Sequence, residues 1–223
     1  GIVVCHDKVY KRTDSNPKHS FAFKVSLAEQ GLEAEVTDVL WRASKDGYLK
    51  PRVMIKPVQL GGVTITYASG MNGSFIETNK INVGSIIEIT RSGDVIPYIT
   101  RVIKPSPTPK MPDVSYFWND THVDIIVEEK EANTEVLEQN IMSFFDGVEG
   151  LGPGNIKKLV NAGFDNIPKI LAMKHDDFLK IHGFKEKMAT KIHTSIKDKI
   201  DEMSLPQLMA SSNMLGRGLG EKK

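Results

Sequence analysis

Three prolines within five residues, Pro105-Ser106-Pro107-Thr108-Pro109, divide the chain. Proline offers no amide hydrogen and fixes its own φ, so neither a helix nor a sheet ladder runs through such a stretch. It reads as a stiff linker. Before it, apolar residues fall in short runs of β-forming type; from Asn133 onward they recur at helical spacing. The chain therefore contains two kinds of structure, and its 223 residues give room for two or three small domains.

Between residues 35 and 104 five β-rich runs (35–41, 53–55, 63–68, 86–90 and 96–103) are split by glycine or proline turns. That spacing predicts a small closed or half-closed barrel. Ahead of it, 1–11 reads as strand and turn, and Asp14-Ser15-Asn16-Pro17 as a turn cluster. In Phe21-Ala22-Phe23-Lys24-Val25 the residues alternate, with Ala22 and Lys24 on one face and the two phenylalanines and Val25 on the other. Residues 114–127 read as a small hairpin.

The helical part repeats one device about every thirty residues. Gly150-Leu151-Gly152-Pro153-Gly154 feeds a helix with Ile156, Leu159 and Val160 at helical spacing; Ile181-His182-Gly183-Phe184-Lys185 feeds a second helix striped by Met188, Ile192, Ile196 and Ile200. A third turn opens at Leu215-Gly216-Arg217-Gly218-Leu219-Gly220. A glycine turn entering a helix presents main-chain N–H groups at the positive end of the helix dipole, where anions bind. Lys157, Lys158, Lys185, Lys187 and Lys191 lie in the first turn or two after the hairpins. Such units side by side would grip duplex phosphates without reading sequence. Glycines that merely cap the helices of a small bundle are the competing explanation, and three hairpins in succession weigh against it.

Charge agrees with the repeat. Residues 148–223 hold 13 Lys and Arg against 9 Asp and Glu, leaving 16 against 19 elsewhere. Cys5 is the only cysteine, which excludes a disulfide framework and a multi-cysteine zinc site, and it is expected to be a buried small hydrophobe. The six histidines lack metal-ligand spacing, Trp41 and Trp118 read as anchors, and Met203, Met209 and Met214 read as core. No apolar run reaches the roughly 20 residues of a membrane span. The apolar opening Gly1-Ile2-Val3-Val4 and the close within a glycine-rich turn give the expectation of a piece of a longer chain.

Taken in order, these motifs resemble the NAD-dependent DNA ligases over nearly the whole chain. Gly1-Ile2-Val3-Val4 is similar to the strand after the acidic residue of the nucleotidyltransferase motif, and Phe21-Ala22-Phe23-Lys24 to a strand ending in an AMP-contacting lysine. Gly47-Tyr48-Leu49-Lys50-Pro51, Pro57-Val58, Gly61-Gly62-Val63, Ala68-Ser69 and Asn72 resemble the first half of the family's OB-fold, and Arg91-Ser92-Gly93-Asp94-Val95-Ile96-Pro97 its most specific signature. The resemblance implies a multidomain α+β chain. Residues 1–30 would be β-strands of the adenylation domain, 31–105 an OB-fold barrel, 106–132 a linker and hairpin in place of the family's zinc module, and 133–223 an all-α helix-hairpin-helix domain. The nucleophilic lysine motif is missing from these residues, so the fragment alone is expected to be inactive. A compact, zinc-less layout is similar to divergent, viral members.

The resemblance also implies partners and roles. NAD+ would donate AMP and Mg2+ would be required, held mostly by phosphates and water; no zinc is expected. The partner would be nicked duplex DNA, with no membrane, and the protein a monomer inside the cell or at a viral replication site. Lys24 would contact the AMP phosphate, with Val3 beside the nucleotide. DNA contacts would come from Lys18, Lys50, Arg52, Ser69, Asn72, Arg91, Gly150, Gly152, Gly154, Lys157, Gly183, Lys185, Lys187, Gly216 and Gly218. For several of these the residues allow a plainer role: Lys18 in a solvated turn, Lys50 and Arg52 on a solvated strand face, Arg91 in a structural pair with Asp94. A non-catalytic repair scaffold built on the same barrel and hairpins is the alternative. An RNA-binding OB protein lacks the interleaved basic and aromatic residues that stack unpaired bases.

Overall fold

The computed structural model describes every residue except Gly1, 12–15, 24–30, 61, 93–95, 217, 219 and 221–223. It forms two compact units, one of residues 1–39, 52–70 and 79–110, the other of residues 40–51, 71–78 and 111–223.

In the first unit, β1 (Ile2–Cys5) pairs antiparallel with β2 (Ser20–Phe23), Val3 opposite Ala22 and Val4 opposite Phe21. Directly opposed residues share a face. One face thus carries Ile2, Val4, Phe21 and Phe23, and the other the smaller Val3, Cys5, Ser20 and Ala22. Cys5 is exposed, contrary to expectation; among the described residues its strand pairs with β2 alone.

The barrel is made by β3 (Leu32–Ala43), β4 (Tyr48–Leu60), β5 (Val63–Ser69), β6 (Ile86–Ser92) and β7 (Ile96–Lys104). The order β3-β6-β7-β5-β4 closes through a β3–β4 pairing, and β5 meets β7 in parallel at Ser69 and Tyr98. Strands alternate as a barrel requires: Val53 and Ile55 are buried in β4, and Ile87 and Ile89 in β6. The second strand is expected only at 53–55, between Pro51 and Pro57. The strand continues through both, with a register shift between Met54 and Val58 that absorbs Pro57. The proline run, expected as a stiff linker, is hydrogen-bonded to residues near the barrel. Ser106 N–H donates to the Lys80 carbonyl and Lys110 N–H to that of Ile81, which pins the segment to the barrel.

The second unit holds α1 (Gly73–Thr78), the hairpin of β8 (Tyr116–Trp118) and β9 (Ile125–Val127), and six further helices. Helix α1 follows β5 closely in the chain. Its start is set by Asn72, whose Oδ1 accepts from Phe75 N–H at 2.9 Å. The β8–β9 hairpin was expected, and β9 also pairs with Tyr48 and Leu49 of β4. Ile125, Val127, Ala43, Leu49 and Val136 form its core, with Trp118 against it.

The remaining helices are α2 (Thr134–Phe144), α3 (Pro153–Asn161), α4 (Ile167–Leu171), α5 (His175–Leu179), α6 (Glu186–Glu202) and α7 (Leu205–Ser211). An offset of 33 residues relates the first two hairpins: Phe145, Val148, Leu151, Ile156 and Leu159 correspond to Phe178, Ile181, Phe184, Ala189 and Ile192. All ten are buried in one core. The third turn departs from this pattern. Met214 is 84% exposed where its counterparts Val148 and Ile181 are buried, and α7 has no buried residue. Met209 and Met214 are therefore surface rather than core, and Met203 is half-buried.

Candidate nucleic-acid interface

Gly150 has φ +90° and Gly183 φ +86°, the left-handed conformation each turn needs and most side chains resist. Beyond each turn a helix starts with no side chain capping it. The N-cap of α3 is Gly152, and that of α6 is Lys185, with Lys187 in the first turn. The positive dipole ends of α3 and α6 are thus left to solvent or an anion. Gly152 and Gly154 face open space, and Lys157, Lys185 and Lys187 are exposed. At the third turn Gly216 and Gly218 have φ +78° and +96°, whereas Gly152, the counterpart of Gly218, has −75°. The third turn is a different bend.

The hairpins pack reciprocally. A Cβ on Gly150 would come within 2.8 Å of Ile192 on α6, and one on Gly183 within 3.1 Å of Lys158 Nζ from α3. Lys158 also lies 5.6 Å from the Phe184 ring centroid. Its counterpart Lys191 forms an ion pair with Glu149, beside Gly150. Asn155 donates through Nδ2 to the Gly150 carbonyl at 2.8 Å and to Sδ of its own counterpart, Met188, at 3.8 Å. Sequence reading had placed these lysines near their own hairpins. The exchange between hairpins escaped it, and the signal was there in the 33-residue offset.

The barrel candidates are already engaged. Lys50 Nζ donates to Asp124 Oδ1 at 2.7 Å, the Arg52 guanidinium lies 4.0 Å from the Tyr67 ring centroid, and Lys56 pairs with Glu35 at 2.6 Å. Ser69 ends β5, Asn72 caps α1, and half-buried Arg91 stands opposite Pro97 in the β6–β7 ladder. Asp94 lies outside the described residues, as does Lys24. Lys18 is exposed, next to His19, which stacks on Tyr10 at 3.9 Å. Val3 is 66% exposed on the small-residue face of β1.

Carboxylates here serve structure. A bond from Lys180, reinforced by the Lys174 N–H, holds Asp177 below the usual carboxylate range. Asp38 is lowered chiefly by its bond from Lys110, and Asp165 by that from Lys169. Among the described residues no three His, Cys, Asp or Glu side chains gather as a metal site, and no helix is long and apolar enough to cross a membrane.

Architecture and site define a class: an OB-fold barrel carried with a helix-hairpin-helix tandem. Residues 33–110 match the NAD-dependent DNA ligase OB-fold domain, and residues 142–198 the SAM-like helix-hairpin-helix tandem. The chain is 41% identical to the DNA ligase of Acanthamoeba polyphaga mimivirus over 224 residues, which covers 100% of this chain and 35% of that protein. It is 25% identical to the DNA ligase of Persephonella marina over 83% of the chain and 28% of that protein, and 29% identical to that of Shewanella baltica over 79% and 28%. In domain content the chain resembles the NAD-dependent DNA ligases, and the sequences it is similar to include a viral DNA ligase. It spans about a third of the length of the curated relatives it matches.

Proposed function

We propose that this chain is the DNA-gripping part of an NAD-dependent DNA ligase that seals nicks between a 3′-hydroxyl and a 5′-phosphate through lysyl-AMP and DNA-adenylate intermediates. The observation that carries the reading is the pair of glycyl turns 33 residues apart, each entering an uncapped helix beside exposed lysines, on one shared core. Amides held in that way meet phosphate oxygens on a duplex without contacting base edges, so binding tolerates any sequence. Residues 133–223 form the main grip in this reading, through Gly150, Gly152, Gly154, Lys157, Gly183, Lys185 and Lys187, with Gly216 and Gly218 in a further turn. The barrel, 31–105, adds Lys50, Arg52, Ser69, Asn72 and Arg91, and Lys18 lies near the nick. To meet phosphate, Lys50 would leave Asp124, whose side chain is 15% exposed, and Arg52 would leave the Tyr67 ring.

Residues 1–30 belong, in the same reading, to the adenylation domain. Val3 opposite Ala22 leaves an open face of small side chains, which suits a flat nucleoside. NAD+ would supply the AMP group when bound. Lys24, two positions beyond Ala22, would hold its phosphate, and positive charge there favours phosphoryl transfer without covalent help. In this reading Mg2+ would be held mostly by phosphates and water. The protein acts as a monomer inside the cell or at a viral replication site. Residues 106–132 take the place of a zinc module.

The test uses the full-length protein with a nicked duplex. Sealing with NAD+ and not with ATP is expected, and Lys24→Ala should abolish sealing while leaving duplex affinity within about twofold. Sealing with ATP alone would overturn the cofactor. Full activity of the Lys24 variant would overturn the role of that lysine.

A further inference from the structure

The two hairpins share a core and a spacing but differ in charge. On α3, Lys158 reaches across to the Gly183 turn, its Nζ 3.1 Å from where a Cβ on that glycine would stand. Its ammonium lies 5.6 Å from the Phe184 ring centroid and donates to Asn155 Oδ1 at 3.4 Å. Among the described residues no carboxylate pairs with it. On α6, the counterpart Lys191 reaches back toward the Gly150 turn, where it pairs with Glu149. The residue corresponding to Glu149 in the second hairpin is His182, so that turn carries no acid at this position.

We propose that Lys158 is a phosphate-binding lysine of the Gly183 hairpin, delivered by the neighbouring hairpin, and that Glu149 screens Lys191 from the same duty at the Gly150 turn. The inference rests on the DNA-gripping reading above and adds to it an order among the turns. The Gly183 turn has its own Lys185 and Lys187 together with Lys158, and the carboxylate in the first turn of α6, Glu186, faces His175 at 3.2 Å, whereas the Gly150 turn brings Glu149 toward any phosphate that approaches. The grip is therefore lopsided: a strong contact at the second turn and a weaker one at the first. A lone exposed ion pair is weak in water, yet Glu149 would also repel an incoming phosphate, and that repulsion does not depend on the pair surviving.

The experiment measures binding of the chain to a fluorescent nicked duplex bearing a 3′-hydroxyl and a 5′-phosphate, by anisotropy across a series of KCl concentrations. Lys158→Met keeps an unbranched side chain of similar length and deletes the charge. It should weaken binding several-fold and lower the slope of log K against log salt by about 0.9, the share of one phosphate contact. Lys191→Met should change affinity less than about twofold. Glu149→Gln should tighten binding and steepen the slope by about 0.9, and adding Lys191→Met to it should remove the added slope. Circular dichroism melts of each variant exclude unfolding as the cause. Equal losses for Lys158→Met and Lys191→Met, or an inert Glu149→Gln, would overturn the inference while leaving the DNA reading intact. Failure of the unaltered chain to bind any duplex at low salt would overturn both.

Discussion

Gly150 shows at single-residue scale why the hairpin tolerates so little. Its φ of +90° is a conformation a side chain resists, and the missing Cβ is the space that Ile192 fills at 2.8 Å. Backbone strain and overpacking each cost about 1–3 kcal/mol. Gly150→Ala should therefore destabilise the second unit by at least about 1 kcal/mol in urea denaturation. Gly154, in the first turn of α3, faces open space with no such backbone demand, so Gly154→Ala should be neutral or stabilising by up to about 1 kcal/mol. Equal losses from the two substitutions would show that glycine composition, rather than these contacts, governs the turn.

Among the elements, α5 shows how short helices survive here. It has five residues, and Asp177 ties its start by accepting from Lys174 N–H at 3.0 Å while taking a bond from Lys180 Nζ at 2.8 Å. The folded state thus holds Asp177 below its ordinary value. A depressed carboxylate adds stability above its unfolded pKa and loses it as pH falls through the folded one. Asp177→Asn should accordingly melt lower than the parent at pH 7, and the gap should close below about pH 4, as calorimetric scans in buffers from pH 3 to 7 would read. A gap constant with pH would assign the effect to geometry rather than charge. The same scale shows what was legible in the sequence. Strand periodicity and hairpin spacing were, because burial imposes a period on the side chains. The reach of β4 was not, since a bulge rescues Pro57 in a way that composition hides. Nor was α1, whose six residues depend on the Asn72 cap. Of the site, the turns could be read from their glycines; the exchange of Lys158 and Lys191 depends on tertiary packing.

At the scale of the whole molecule, the basic surplus of residues 148–223 matters more than the formal net charge of +1. A grip made of main-chain amides and lysines meets phosphates alone, so affinity should follow ionic strength and ignore base sequence. The direct measurement is the affinity of this chain for nicked duplexes of unrelated sequence, taken between about 50 and 200 mM KCl. The account predicts affinities equal within about twofold across sequences, falling linearly in log K against log salt with a slope worth several phosphates. Binding that tracks base sequence, or that does not respond to salt, would contradict it.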